Sequence, residues 1–389
     1  MKRGKVDLNI VISVTFLLFV GMVMVFSASS MMADKKFGSL TYYLRKQMMW
    51  GILSFGLMIL MSRFDYRRLQ HHKLPHILIL LSFTLLIGLL VGGVRINGAR
   101  RWFHLGFMNF QPSELAKLSI IIYTAYYLSV KKAEIAKLKS GILPLMFVLS
   151  LIILPVMLQP DLSTSLMLAI ISGLMLFVSR ARLKHLVGMG LSFIPAALFL
   201  MSSRSYQQGR ISQWIHAWGN PLNAAYQIRQ SLIGLGRGGW MGHGLGQSKQ
   251  KFFFLPDSHT DFIFSILGEE WGFIGVTIIL LVFMFLLYRG LVITRRVPDA
   301  FGKFLALGFT LNIVLYGLIN AGVVSMLFPA TGLPMPFISY GGSHLMFLGF
   351  SVGLLLSISR VANRVSTNGN WTEFRQKREQ LYQTVISTD

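Results

Sequence analysis

Acidic side chains lie at the start of three long apolar stretches. Glu114 occurs in the sequence QPSELAK, Asp161 in QPDLSTS and Asp261 in LPDSHTDFIF. A carboxylate can act as a general acid or base when a substrate group lies within hydrogen-bond reach. Ionisable groups in or beside such apolar stretches are costly unless they face an internal cavity or a partner. These three carboxylates are therefore the first candidates for a functional site.

Each carboxylate also has a simpler interpretation as part of a helix start. Proline at the first helical position is common, and an acidic residue close behind it complements the helix dipole. For any one site taken alone, capping and function are equally supported. The recurrence of the pattern favours function, as does the i, i+3 spacing of Glu114 and Lys117, which places both side chains on one helix face.

Basic and aromatic side chains add candidates for binding a phosphate or a sugar. Arginine makes bidentate contacts with phosphate, which singles out Arg100, Arg101 and Arg210. For any single arginine, anchoring to lipid headgroups is the better-supported alternative. Trp102 could stack on a sugar, although tryptophan is common wherever a membrane meets water. Ser343 follows two glycines and is predicted to cap the last helix.

Metal and nucleotide chemistry find little support in the sequence. The chain has no cysteine, and its 9 histidines are not spaced as metal ligands. The glycine-rich stretch from Gly234 to Gly246 lacks the Gly-Lys-Ser/Thr of a Walker motif, so we do not expect it to bind a nucleotide. Metal ligands stay unassigned, and a divalent cation, Mg²⁺ or Mn²⁺, is left open as a cofactor.

Membrane helices are the elements that must position these residues. Hydrophobic residues make up 53% of the 389-residue chain and charged residues 13%, against roughly 25% charged in ordinary soluble domains. A membrane-crossing helix needs about 20 mostly apolar residues. Ten stretches qualify, and they begin near Leu8, Met48, Pro75, Pro112, Leu143, Thr164, His185, Phe262, Phe304 and Ser343. The predicted fold class is an all-α integral membrane protein with ten transmembrane helices.

The basic residues orient these ten spans, because cytoplasmic loops carry an excess of Lys and Arg. With a cytoplasmic N-terminus, 23 of the 37 basic residues fall in cytoplasmic segments, 13 fall outside, and Lys117 falls within a span. Both termini are then cytoplasmic, with a membrane domain over residues 1–360 and a polar tail over 361–389. The formal charge of +23 is mostly this topology signal, and no nucleic-acid partner is needed to explain it.

One predicted outer loop, about residues 202–260 between the seventh and eighth helices, is too long to be a simple connection. The fourth, sixth and eighth spans run from outside to inside, so their starts gather near the outer surface. Helix N-termini bind anions. This arrangement favours a lipid that carries a phosphate or pyrophosphate.

The motifs together resemble the SEDS family, the FtsW, RodA and SpoVE group of bacterial cell-wall polymerases. The resemblance covers about Leu8 to Arg360. It rests on five ordered blocks: GARRW at 98–102, FQPSELAK at 110–117, QPDLST at 159–164, FLPDSHTDFIF at 254–264 with Glu269-Glu270, and GLPMPFISYGGS at 332–343. Two further segments, YQIRQSL and GLGQSKQK, look more like the division-type FtsW branch than the elongation-type RodA branch.

The resemblance implies a glycosyltransferase that polymerises lipid II into peptidoglycan on the outer face of the bacterial cytoplasmic membrane. The family's essential aspartate falls on Asp261. The substrate-binding candidates are Arg100, Arg101, Trp102, Glu114, Lys117, Asp161, Arg210 and Ser343. The implied partners are a class B penicillin-binding transpeptidase and other cell-division membrane proteins. Three positions depart from the family pattern: Ser163 replaces Gly, Asp257 replaces Glu, and His344 replaces the second Ser after Tyr-Gly-Gly-Ser.

Other functions remain open at this stage. A RodA-like polymerase for elongation has the same motifs. A lipid II flippase would also use ionisable residues within the membrane, although the charged groups gather near one face and no pair of broken helices in matching halves is visible. A scaffold that only recruits the transpeptidase is the third alternative.

Overall fold

The computed structural model describes residues 4–71, 73–96, 99–104, 106, 109–202, 205–256 and 258–367. Asp257 and the tail from residue 368 onward lie outside this part. The α-helices within it are α1 (Leu8–Phe37), α2 (Tyr42–Arg63), α3 (Leu74–Gly92), α4 (Pro112–Val130), α5 (Leu143–Leu158), α6 (Leu162–Phe177), α7 (Leu183–Ser202), α8 (Ser205–Gly219), α9 (Tyr226–Gly238), α10 (Ile263–Arg296), α11 (Ala300–Val324) and α12 (Gly342–Thr367). The last helix therefore runs past the predicted boundary at residue 360.

A helix occupies each of the ten stretches that the sequence predicts to be spans, namely α1–α7 and α10–α12. In the described part of the chain, six helices are long and apolar enough to cross a membrane: Leu8–Phe37, Leu74–Gly92, Leu138–Leu158, Ile263–Arg296, Ala300–Val324 and Gly342–Arg364. Helix α6 is apolar but has only 16 residues. The chain is a multi-pass helical membrane protein.

Helix α11 lies at the centre of the bundle. It packs against α10, α4, α12 and α6, and 83% of its most apolar 18-residue stretch is buried. Helices α2 and α12 form another close pair, in which the Ser54 hydroxyl donates to the Leu345 carbonyl at 2.6 Å. A Cβ on Gly349 would lie 2.3 Å from the Ser54 carbonyl oxygen, so the backbones meet where glycine is required. Small residues allow this approach between membrane helices.

Helices α4, α6, α10 and α12 begin at one end of the bundle, here called the upper end. Hydrogen bonds join the segments at the starts of α4, α10 and α12: the Gln111 amide donates to the Ser343 hydroxyl at 3.3 Å, and the Tyr340 amide donates to the His259 carbonyl at 3.0 Å. The starts of the helices that are predicted to run from outside to inside thus share one end of the bundle.

A small antiparallel sheet joins α3 to α4 at the upper end, and the sequence analysis does not predict it. Its strands are β1 (Val94–Ile96), β2 (Ala99–His104) and β3 (Asn109–Phe110), in the order β1-β2-β3. Strands this short add little to an otherwise helical fold. The sheet matters because β2 carries Arg100, Arg101 and Trp102.

The predicted long loop contains helices α8 and α9, followed by an irregular segment that leads to α10. The chain at residues 239–244 packs directly against α10, whose helix is interrupted at Gly272 (φ +67°, ψ −165°). The Phe273 amide donates to the Gly239 carbonyl at 2.8 Å. A Cβ on Gly272 would lie 2.3 Å from the Gly242 nitrogen. Close backbone packing, and not phosphate binding, therefore accounts for the glycines at Gly242 and Gly272.

Ion pairs tie the helices together at the opposite, lower end. Arg289 on α10 contacts Asp7 before α1 at 2.5 Å. The buried Tyr66 hydroxyl donates to Asp299 at 2.6 Å, and Asp299 also caps α11. Burial, together with the neighbouring Asp299 charge, raises the pKa of Tyr66 well above its ordinary value. The hydroxyl therefore stays protonated and keeps its hydrogen bond across the physiological range.

Candidate active site at the upper end of the bundle

A buried charged cluster lies between α4, α11 and α12. Lys117 Nζ is 2.8 Å from Glu114 Oε1, and His344 Nδ1 is 3.1 Å from the same oxygen. Glu114 is 5% exposed, Lys117 3% and His344 6%. The Lys117 ammonium also lies 4.3 Å from the centroid of the Tyr316 ring. The predicted i, i+3 pair exists, and Glu114 orients both Lys117 and a histidine from another helix.

Asp161 lies beside this cluster as the N-cap of α6. One carboxylate oxygen accepts from the Thr164 amide at 3.2 Å, so the capping interpretation is correct for this residue. Asp161 is buried, and it and Glu114 are both close enough to Tyr316 to interact with its hydroxyl electrostatically. The cluster thus extends across α4, α6, α11 and α12.

The two adjacent arginines of β2 both hold helix ends. Arg100 Nη1 donates to the carbonyls of Leu90 and Val91 at 2.7 and 2.9 Å, at the end of α3. Arg101 donates to the carbonyls of Gln159 and Pro160, directly before Asp161. Arg101 therefore lies next to the cluster, whereas Arg100 lies at the end of α3. Trp102 follows them on the same strand and is half-buried.

Asp261 lies two residues before α10 begins, close to the start of the apolar stretch. Phe262 is the N-cap residue of α10. The Asp261 carbonyl accepts from Asn320 Nδ2 at 2.7 Å, and a second bond joins Asn320 to the Leu333 carbonyl. The half-buried Asp261 side chain faces Gly332, where an added Cβ would lie 3.3 Å from Oδ2.

Helix α11 connects Asp261 to the charged cluster. Asn320, which holds Asp261, and Tyr316, which covers Lys117, are four residues apart and share one face of the helix. One helical turn advances about 5.4 Å along the axis. The contacts that Asp261 and Lys117 make with α11 therefore lie about one turn apart along the same face of that helix.

Two other predicted residues hold the upper end together. Arg210 on α8 donates to the Ala330 carbonyl at 3.1 Å, and so docks α8 on the segment after α11. The Ser343 hydroxyl accepts from the Gln111 amide at 3.3 Å. Since α12 begins at Gly342, Ser343 is a first-turn residue that joins α12 to α4, and it does not cap its own helix.

Glu269 and Glu270 on α10 hold the segment that leads to Asp261. Glu269 is fully buried and accepts from the amides of Lys249 and Gln250 at 3.1 and 3.2 Å, and from the Ser248 hydroxyl. Arg237 on α9 is 3.3 Å from Glu269. Glu270 accepts from the Ser27 hydroxyl at 2.5 Å and pairs with Lys251 at 3.8 Å. The two glutamates anchor the irregular segment and stand apart from the Glu114 cluster.

Sequence reasoning did not identify Tyr316 and Asn320 as parts of the site. Their signal is a polar stripe within an otherwise apolar span, since Asn312, Tyr316 and Asn320 recur every four residues. Such spacing places them on one helix face, and polar side chains in membrane spans usually face the bundle interior. His344 was noted only as a departure from a family pattern.

The described residues contain no group of three or more His, Asp or Glu side chains close enough to hold a metal ion. Glu114 already bonds Lys117 and His344, and Asp161 caps a helix. This donor set does not fit a divalent cation, and we derive no step through a metal.

The fold and the site define a class: multi-pass helical membrane proteins with a buried charged cluster at one end of the bundle. The family model described as "Cell cycle protein", for FtsW, RodA and SpoVE, matches residues 8–364. A probable peptidoglycan glycosyltransferase FtsW from Geobacter sulfurreducens is 40% identical over 355 residues, covering 91% of this chain and 95% of that protein. Stage V sporulation protein E of Bacillus subtilis is 40% identical over 361 residues, covering 92% and 98%.

Solved structures agree with this relationship. The Thermus thermophilus rod shape determining protein RodA has a TM-score of 0.68 and 28% identity, covering 91% of this chain and 97% of that one. A second structure, from a peptidoglycan synthase complex described as coordinating polymerization and crosslinking, contains a chain that is 28% identical with a TM-score of 0.73. The match covers 92% of this chain and 98% of that one. The chain belongs to the FtsW, RodA and SpoVE family.

Proposed function

We propose that this protein is a peptidoglycan glycosyltransferase that polymerises lipid II into glycan strands at the outer face of the bacterial cytoplasmic membrane, in septal synthesis during cell division. The observation that carries the proposal is the convergence of Asp261 and the buried Glu114–Lys117 cluster at one end of the bundle. The relatives named FtsW support the activity and the division role. The RodA-like fold keeps an elongation role as the alternative.

The proposal includes the predicted topology. Helices α1–α7 and α10–α12 form ten spans, both termini are cytoplasmic, and the segment between α7 and α10 lies outside. The upper end then faces the outer surface, where a lipid-linked substrate can enter from the outer leaflet. Residues 1–360 make up the membrane domain and 361–389 a cytoplasmic tail.

In the proposed reaction, Asp261 acts as general base. Its carboxylate takes the proton from the acceptor sugar hydroxyl as that oxygen bonds to the anomeric carbon of the donor. The bond from this carbon to the pyrophosphate oxygen breaks with inversion, and undecaprenyl pyrophosphate leaves with the electron pair. The half-buried Asp261 carboxylate is more exposed than that of Glu114, which is buried and bonded to Lys117 and His344.

Basic side chains near the cluster would stabilise the negative charge of the departing pyrophosphate. Electrostatic stabilisation of this kind usually contributes most to catalysis. An arginine has five N–H donors. The carbonyl bonds of Arg100 and Arg101 therefore leave donors for phosphate oxygens. Lys117 adds a charge fixed by Glu114. Trp102, Asp161, Arg210 and Ser343 complete the proposed substrate contacts.

The proposed partners are lipid II, the growing strand, a class B penicillin-binding transpeptidase and other division proteins of the membrane. Support for a crosslinking partner comes from the structural neighbour, whose complex is described as coordinating polymerization and crosslinking. The cytoplasmic membrane is the proposed location because lipid-linked precursors are used there.

Polymerisation of lipid II by the purified protein in detergent is the decisive experiment. We expect Asp261→Ala to lower the polymerisation rate at least about 100-fold, which is the lower end of the usual contribution of general acid–base catalysis. Asp34→Ala is the matched control, because Asp34 is an exposed aspartate near the same end of the bundle, and it should keep the parental rate. Parental activity in Asp261→Ala would overturn the mechanism. No polymer from the parent would favour a flippase or a scaffold, since detergent leaves no second compartment.

A further inference from the structure

His344 carries a buried nitrogen atom that nothing in the described structure satisfies. The residue lies in the first turn of α12, and its Nδ1 is held 3.1 Å from Glu114 Oε1. Its Nε2 is buried and has no hydrogen-bond partner among the described residues. Buried polar atoms in native proteins are nearly always paired with protein, water or ligand. The atom therefore marks a position that a ligand or an ordered water fills.

The contact with Glu114 fixes the chemistry of this free nitrogen. An ionised carboxylate only accepts hydrogen bonds, so the Nδ1 that faces it must carry a hydrogen. Nε2 then has only a lone pair when the ring is neutral, and it becomes a second N–H donor when the ring is protonated. The same atom would accept from a hydroxyl in one state and donate to an anion in the other.

The charges around the ring favour the donor state once an anion binds. From α4 the ring faces Glu114 and Lys117, whose charges compensate each other at 2.8 Å. From α11 it faces the Tyr316 ring at 6.3 Å, and Asp161 lies beyond Tyr316 at the start of α6. A phosphate at Nε2 would place the imidazole between two anionic groups, which favours its charged form.

We propose that His344 is a further substrate-contacting residue: its protonated imidazole donates an Nε2–H bond to a phosphate oxygen of the lipid-linked donor while Glu114 holds the ring through Nδ1. This inference rests on the proposed function and deepens it. It concerns a residue that departs from the pattern of the SEDS resemblance, where a serine occupies this position, so it predicts a property of this chain in particular.

Binding of the lipid-linked donor then requires one proton, the one on His344 Nε2. Above the range in which histidine titrates, each pH unit weakens the binding of a ligand that needs the protonated ring by up to about tenfold. The two phosphates of the donor keep their charges across this range. We therefore expect the KM for lipid II to be at least roughly fivefold higher at about pH 8 than at about pH 6.

Two amide substitutions separate the two ring nitrogens. His344→Asn retains a donor near the Nδ1 position for Glu114 but has no atom at Nε2, whereas His344→Gln can reach the Nε2 position with a donor that does not titrate. We expect His344→Asn to raise the KM at pH 6 to the parental value at pH 8 and to remove its pH dependence. His344→Gln should also show a flat profile, with a lower KM than His344→Asn. His216→Asn, an exposed histidine on α8, is the matched control and should keep the parental profile.

The experiment measures initial polymerisation rates against lipid II concentration at several pH values, with detergent melting temperatures to confirm that each variant is folded. The inference is overturned if folded His344→Asn keeps the parental KM and its rise with pH, which is the result expected for a nitrogen that only binds water. A parent that fails to polymerise, or an active Asp261→Ala, would contradict the proposed function instead.

Discussion

At the scale of single residues, the Glu114–Lys117 pair shows why charged groups persist inside a membrane bundle. Each is at most 5% exposed, and neither could be buried alone without a large desolvation cost. Their attraction, the His344 bond and the Tyr316 ring together compensate that cost. The pair therefore holds the Lys117 ammonium in one fixed position inside the bundle.

Breaking this pair should cost more than removing it. Lys117→Met leaves Glu114 buried without its main counter-charge, and we expect a loss of about 3–5 kcal/mol in the free energy of unfolding, the usual range for such changes. The double variant Glu114→Gln/Lys117→Met removes both charges and should recover a good part of that loss. Chemical unfolding in detergent, followed by tryptophan fluorescence, provides the measurement. Equal stability of the single and double variants would contradict this account of the cluster.

Residue spacing predicted some of this site and missed other parts for a physical reason. The i, i+3 pair of Glu114 and Lys117 is local, so the sequence contains it in full. The contact of Glu114 with His344 spans 230 positions along the chain and depends on how α4 meets α12. No local sequence pattern encodes how α4 packs against α12. A single histidine in the sequence therefore does not predict a contact with Glu114.

At the scale of elements, the segment before α10 is held by its contacts with α10 and α9. Glu269 accepts from two consecutive backbone amides and a hydroxyl, and Arg237 is its ion-pair partner. Segments held by few such contacts open locally far more easily than the fold as a whole. A buried carboxylate two turns beyond Asp261 thus holds part of the segment that leads to Asp261.

Removing that carboxylate should loosen the segment while the bundle stays folded. In Glu269→Ala the amides of Lys249 and Gln250 lose their acceptor, so we expect trypsin to cleave after the exposed Lys249 at least roughly tenfold faster, as expected when local opening becomes easier by about 1.4 kcal/mol. Glu134→Ala is the control, because Glu134 pairs with Lys131 in an exposed position where ion pairs contribute little. Mass spectrometry of the early fragments identifies the site. An unchanged rate at Lys249 would show that the other contacts suffice.

Elements were predicted best where hydrophobicity alone defines them. All ten apolar stretches form helices because each must satisfy its own backbone within an apolar solvent. The sheet at β1 and β2 was missed although the sequence Asn97-Gly98 between them is a strong hairpin signal. The backbone pairing of residues 239–244 with the break in α10 was not foreseeable, because it joins two glycine positions that are 30 residues apart.

At the scale of the whole molecule, the two ends of the bundle differ in character. The lower end is fastened by ion pairs such as Asp7–Arg289 and by the Tyr66–Asp299 bond, which join the first helix to α10 and the α2–α3 connection to α11. The upper end holds the charged cluster, the small sheet and the long segment with α8 and α9. Charged groups and additional elements are therefore concentrated at the upper end, which fits a protein whose substrate binds at that end.

The orientation of the two ends can be tested directly, because the chain has no cysteine and each introduced one is unique. Lys36→Cys and His243→Cys place exposed thiols at the upper end, and Arg68→Cys and Lys137→Cys place them at the lower end. The upper pair should react with a membrane-impermeant maleimide in cells whose outer barriers are opened. The lower pair should react only after the cytoplasmic membrane is permeabilised. The positive-inside bias requires this outcome, since both lower positions lie in basic connections. The reverse pattern would place the charged cluster at the cytoplasmic face and remove the basis for an outer-leaflet polymerase.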